Sequence, residues 1–211
     1  MSTIEVFADV CCPFTHVGLR RIVAARRARG VEGVRLVCRA WPLEWVNGAP
    51  LDADHVAREV TALREQVAPG LLRGFSAARF PSTSIPALAL AAAAYRLGAE
   101  RGEMVSLLLR DELFERGRDI ADDAVLASVA ARAGVEPASP AEREALVRVD
   151  YDAGRARGVL GSPHFFVGGE GWFCPSLHIE QRDGVFHVTE DPVAAERILA
   201  AVLDAGAHTP E

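Results

Sequence analysis

Short apolar runs near both ends of the chain bracket a long middle stretch in which apolar residues recur at helical spacing. Near the start, residues 4–7 read as a strand, residues 13–29 as a helix, and residues 34–41 as a second strand stopped by Pro42. Strand, helix and strand in that order predict a βαβ unit with a parallel pair. The turn-rich stretch Asn47-Gly48-Ala49-Pro50 then marks a change of character. From Asp54 to about Arg157 the pattern is helical. Asp54 is read as the cap of a helix that runs to Val67, ahead of Pro69-Gly70. Residues 86–98 form an alanine- and leucine-rich helix, apolar nearly all round, and residues 100–116 another. Asp122 starts a helix that Gly134 stops, and Ser139-Pro140, with Glu142 in the first turn, opens the last of the series. After Gly158 strands return at residues 164–167, with Trp172 and Phe173 opening another. Residues 178–181 and 185–188 flank Arg182-Asp183-Gly184 as a hairpin, and residues 192–205 close the chain as a helix capped by Asp191.

This order predicts an α/β fold in which a sheet-bearing unit, residues 1–48 and 158–211, is split by an all-helical insertion, residues 49–157. A chain of 211 residues, half of them hydrophobic, has enough apolar surface for a substantial core. The net charge of -6 argues against a nucleic-acid partner. The arginine clusters at 20–21 and 26–29 read as a solvated helix face. The longest apolar run, 85–95, contains Pro86 and is too short to span a bilayer, so no membrane role is expected. No basic stretch followed by a long apolar core opens the chain, and the four cysteines form neither a disulfide framework nor zinc-type pairs. A reducing cytoplasm is the expected setting.

Chemistry enters at Cys12-Pro13-Phe14-Thr15, which places a cysteine at the start of the first helix. A helix N-terminus offers unpaired N–H groups and the positive end of the macrodipole, and both stabilise a thiolate. Pro13 suits the first helical position because its missing N–H has no partner there. Cys12 is therefore a reactive thiol or, on the plainer reading, a small buried residue. The spacing is that of a Cys-x-x-Cys redox motif with Thr15 at the second cysteine. A threonine cannot resolve a mixed disulfide, but its hydroxyl can donate to the Cys12 thiolate. The second signal is Gly158-Val159-Leu160-Gly161-Ser162-Pro163-His164-Phe165. A proline at the head of a buried strand is either a plain trans strand opener or a cis turn.

Together these motifs, in this order, resemble the DsbA family of thioredoxin-fold proteins. Phe80-Pro81-Ser82-Thr83 and Glu115-Arg116-Gly117-Arg118-Asp119-Ile120 in the helical stretch are similar to the FrnE-like branch, near 2-hydroxychromene-2-carboxylate isomerases and kappa-class glutathione transferases. The resemblance implies a thioredoxin fold carrying a helical insertion, with the site in the cleft between the two. It implies Cys12 as nucleophile, Pro163 as a cis-proline facing it, and Thr15 beside it. Pro13, Phe14, Ser162 and His164 would contact substrate. The activity implied is thiol–disulfide exchange by a single cysteine, with a low-molecular-weight thiol such as glutathione or mycothiol as co-substrate and no bound cofactor. A small thiol or a protein disulfide would be the partner of a monomer or homodimer. The rival readings are a thiol-dependent isomerase or transferase and a non-catalytic binding protein.

Of the remaining cysteines, Cys11 reads as a pocket-wall or buried residue and Cys38 as core. Cys174 is a candidate resolving thiol, provided its Cα lies within about 7 Å of that of Cys12. His16 and His164 are candidates for proton transfer, although alternation along the strand can turn His164 away. Trp41 and Trp45 read as packing at the domain junction.

Overall fold

The structure, a computed structural model, describes residues 2–31 and 33–207. Strand β1 (Ser2–Ala8) is central in a four-stranded sheet of order β2-β1-β3-β4, with β2 (Val34–Ala40), β3 (His164–Val167) and β4 (Glu170–Phe173). It pairs parallel with β2 through helix α1 (Pro13–Ala28) and antiparallel with β3, so Val6 lies opposite both Cys38 and Phe165. This is the α/β thioredoxin fold expected from the sequence, with the helices α3 (Ala53–Gln66), α4 (Ile85–Arg96), α5 (Ala99–Phe114), α6 (Asp123–Ala133) and α7 (Pro140–Ala156) between β2 and β3.

The helix ends follow local chemistry. Asp122 caps α6 by accepting from Ala124 N–H, Gly134 ends it in the left-handed region, and Ser139 with Glu142 forms a capping box on α7. Helix α3 is capped by Asp52, not Asp54: Asp52 Oδ1 accepts the His55 N–H at 2.7 Å. Asp54 falls instead in the first turn, where its charge meets the positive end of the helix dipole. A short helix, α2 (Leu43–Asn47), occupies a stretch the sequence pattern leaves blank, set between Pro42 and Gly48 at φ 73°.

Trp172 and Phe173 end β4 instead of opening it, because β4 begins directly after the Gly168-Gly169 turn. Strands β5 (Leu177–Arg182) and β6 (Val185–Glu190) form a separate hairpin lying on α3. The Gln66 side chain joins the two, donating to Phe186 O at 2.9 Å and accepting from Val188 N–H at 2.7 Å. Helix α8 (Ala194–Ala207) packs with α1 on the sheet.

Alternation along β1 divides the interior. Ile4, Val6 and Ala8 face α1 and α8, where Leu19, Ile22, Phe165, Ile198 and Leu199 complete one core cluster. Phe7 points the other way, to Trp41 and Phe166 beneath α7. Helix α7 passes so close that a Cβ on Gly154 would sit 2.7 Å from a Trp41 ring carbon, so only glycine fits. A second large cluster joins the helices α3–α7 to Leu177, Phe186 and Val188 of the hairpin, and also takes in Val10, Cys11, Cys12, Phe14 and Val17. The first turn of α1 is thus wedged between sheet and helical layer.

The helical layer also closes the sheet's β2 edge. Alternate N–H groups of that edge strand donate to side chains: Leu36 to Glu103 at 2.8 Å, Cys38 to the Tyr95 hydroxyl at 2.8 Å and Ala40 to Asp150 at 3.0 Å. An edge so capped has no free ladder to offer another strand.

Candidate active site

The turn between β1 and α1 is set by Asp9. Its backbone follows the strand, and its buried carboxylate accepts Cys11 N–H at 2.8 Å, Leu43 N–H at 2.7 Å and the Ser84 hydroxyl at 3.1 Å. The first is an Asx turn, a side chain closing the loop two residues ahead. Burial raises the Asp9 pKa, while these donors and the Arg110 charge pull it back. Arg110, buried in α5, donates to Asp9 O at 3.2 Å and to Ser106. One acid and one guanidinium therefore fix the turn that presents Cys12.

Cys12 occupies the N-cap position of α1 and is 3% exposed. Its thiol donates to Ser162 O at 3.3 Å. The Ser162–Pro163 peptide is cis. Ser162 Oγ accepts Asp9 N–H at 2.9 Å and lies 2.9 Å from Thr15 Oγ1. Cys12, Thr15 and Ser162 are thus one connected group, with Pro163 buried behind Ser162. Burial pushes the Cys12 thiol above its ordinary range. The Thr15 hydroxyl and N–H and the Ser162 side chain draw it down, and the negative charge of Glu59 adds to the rise. The helix start supplies the donors that the sequence suggested, but in this closed cleft burial outweighs them and the sulfur rests as a thiol.

A cleft of about 470 Å³ opens beside this group, lined by Cys12, Pro13, Phe14, Ser162, Cys174 and the α3 side chains His55 and Glu59, among others. Cys174, at φ 42°, donates its N–H to Pro163 O at 2.9 Å. The two cysteines therefore flank consecutive carbonyls of one dipeptide. Burial, then the nearby Cys12 charge, pushes the Cys174 thiol up to about 12.

Several sequence candidates fall outside the cleft. His164 does not line it: strand alternation turns its ring to the α7 side, where it stacks on Phe166 with centroids 4.6 Å apart and accepts Leu160 N–H at 3.1 Å. His16 is buried and meets Glu115 at 2.7 Å. Burial lowers its pKa, with Glu115 pulling the other way. Cys11 faces Glu44 and Ser84, and Cys38 lies in the sheet core. Trp41 and Trp45 pack on Tyr151.

Sequence reading misses Asp9, Arg110, His55 and Glu59. An acid directly after an apolar strand, and an arginine after three leucines at 107–109, are the signals available for the first two. Nothing local marks His55 or Glu59, because α3 reaches the cleft only through tertiary packing.

The DSBA-like thioredoxin domain family matches residues 3–181, and the chain belongs to that family. The fold is similar to that of a probable DsbA oxidoreductase from Streptomyces coelicolor, with 18% identity and TM-score 0.58, covering 100% of this chain and 92% of that one. It is also similar to the cytosolic disulfide reductase DsbM from Pseudomonas aeruginosa with GSH, at 20% identity and TM-score 0.51, covering 97% and 96%. A 2-hydroxychromene-2-carboxylate isomerase matches at 16% identity and TM-score 0.56, covering 81% and 88%. No curated protein matches the chain. No helix among the described residues is long and apolar enough to cross a membrane.

Proposed function

We propose that this protein is a thiol–disulfide oxidoreductase that uses Cys12 as its single nucleophile. The observation that carries the reading is the Cys12 thiol at the head of α1, 3.3 Å from Ser162 O and opening on a cleft, with Thr15 where a dithiol enzyme has its second cysteine. Thr15 and the helix N–H groups stabilise the thiolate as it forms. The sulfur attacks one sulfur of a disulfide held along the Ser162-Pro163 segment. The disulfide bond breaks, half of the substrate leaves as a thiol, and half stays as a mixed disulfide on Cys12. A low-molecular-weight thiol such as glutathione or mycothiol then attacks that mixed disulfide, restores Cys12 and carries the bound half away. Pro13 and Phe14 shape the wall that the substrate meets.

The reading places the protein, a FrnE-like member of the family, in the cytoplasm as a monomer or homodimer. It acts on a small thiol or protein disulfide without a bound cofactor. The hydroxyl pair Thr15 and Ser162, 2.9 Å apart, favours one second reading. It could activate a bound glutathione-type thiol in an isomerase or transferase, without a covalent step at Cys12. Exchange turnover with a glutathione mixed disulfide separates the two. Cys12→Ser is expected to abolish it, and full turnover by that variant would refute the nucleophile.

A further inference from the structure

The α3 wall of the cleft carries chemistry that the exchange mechanism above leaves unused. Cys12 rests as a thiol, so a proton must leave it before attack and one must reach the departing substrate sulfur. The titratable groups around Cys12 are few. From α1, His16 is engaged with Glu115 and does not line the cleft. From α2, Glu44 accepts the Thr83 hydroxyl at 2.7 Å. Behind the turn, Asp9 and Arg110 are held by backbone groups. On the β4 side stands Cys174, itself a thiol held protonated by burial. Among the described residues the cleft lining includes no arginine, and its remaining titratable side chains are Asp52, His55 and Glu59, from the N-cap and first two turns of α3. Asp52 is committed to capping its helix.

His55 and Glu59 form an i, i+4 pair, Nε2 to Oε1 3.4 Å. The other ring nitrogen, Nδ1, lies 3.3 Å from Arg58 Nη2. A guanidinium only donates, so Nδ1 accepts, and the ring proton sits on Nε2, facing the Glu59 carboxylate. Phe186 of the hairpin meets the His55 ring edge to face with centroids 5.3 Å apart, which fixes its plane. Glu59 thus enters the cleft on an oriented support. Burial raises its carboxyl to about 7, against the opposing pull of Arg58, so near neutral pH it holds or accepts a proton with equal ease.

We propose that Glu59, oriented by His55, is the proton acceptor and donor for the Cys12 thiol; the assignment rests on Cys12 being the nucleophile. As the Cys12 sulfur attacks, its proton passes across the cleft to the Glu59 carboxylate, through water or the substrate's own polar groups. The new bond is Cys12 Sγ to substrate sulfur, and the substrate disulfide bond breaks. The departing thiolate takes the proton back from Glu59, so a thiol and a disulfide give a mixed disulfide and a new thiol with nothing left over. His55 is a positioning residue, since it acts through Glu59.

The test is the rate at which the intact reduced protein is alkylated by iodoacetamide at Cys12 between pH 5 and 10, followed by peptide mass spectrometry so that the other three cysteines are counted separately. The native protein should show a rate limb with its midpoint near pH 7. In Glu59→Gln, which keeps size and shape, that limb should vanish and the rate at pH 7 should fall about a hundredfold, the lower end of what a positioned base contributes. His55→Gln should shift the limb without removing it. An equal or faster rate at pH 7 in Glu59→Gln would overturn the proposal, because removing a merely repelling charge eases thiolate formation. Exchange with oxidised glutathione is measured in parallel. A Glu59-dependent limb without exchange at Cys12 would leave the proton assignment standing and remove the oxidoreductase reading.

Discussion

His16 with Glu115, and His55 with Glu59, are the same two side chains paired in two regions around the start of α1, and their surroundings drive the glutamates in opposite directions. Glu115 is partly buried, which alone would raise its pKa. Hydrogen bonds from His16 and from the N–H groups of Leu72 and Arg73 instead bring it down to about 2. No backbone N–H among the described residues donates to Glu59, and burial takes it up to about 7. The lesson is that a histidine partner does not decide the state of a carboxylate; the count of donors set against the loss of water does. The first arrangement is a clamp that joins α1 to the segment after α5, with the Phe114 ring tilted against His16 at a centroid distance of 5.1 Å. The second retains a proton that can move.

The strongest way to break the comparison is to remove the clamp. Glu115→Ala leaves the buried His16 Nε2–H and the Leu72 N–H without their acceptor, and should cost about 2–4 kcal/mol in urea unfolding. Cys12 alkylation per folded molecule should stay as it is. A loss below about 0.5 kcal/mol would make the pair incidental.

Opposite pH slopes of stability are the next expectation. Glu115 has a folded pKa of about 2 against an ordinary 4.5, so its contribution is complete above pH 4.5 and fades as pH falls towards 2. Glu59 has a folded pKa of about 7 against 4.5, so its contribution is complete below pH 4.5 and is lost as pH rises through about 7. Urea midpoints at pH 3, 5 and 8 should therefore show Glu115→Gln flattening the acid side alone. Glu59→Gln should flatten only the fall in stability between pH 5 and 8, and gain stability at pH 8. Parallel curves for the two variants would contradict the contrast.

The smallest effect belongs to Arg58. Arg58→Ala removes the donor to His55 Nδ1 and the charge that opposes the rise at Glu59. Because Arg58 is exposed, solvent screens most of that charge. The alkylation limb should move upward by about a few tenths of a pH unit, and a downward move would reverse the assigned sign.

Much of the frame is legible in the sequence because its signals are local. The βαβ start, the Asp122–Gly134 helix and the Ser139 capping box each announce themselves within a few residues. The Asp52 cap is read two residues late because two aspartates compete for one end, and only the backbone decides between them. Cys12, Thr15, Ser162 and Pro163 are legible as types, and the fold brings them together. What no local pattern carries is orientation. His164 belongs to the right loop but the wrong face of its strand, and the thiolate-favouring helix start of Cys12 is overruled by burial that only the helical layer creates. His55 and Glu59 look like an ordinary exposed helix pair until the hairpin is laid over α3.

The most direct measurement is to expose the reduced protein to oxidised glutathione, and separately to oxidised mycothiol, and to map adducts on all four cysteines by peptide mass spectrometry. The expected result is a mixed disulfide on Cys12 alone that excess thiol removes. A Cys12–Cys174 bridge would move resolution into the protein itself. An unmodified Cys12 would contradict the account and leave the hydroxyl pair of Thr15 and Ser162 as the functional centre.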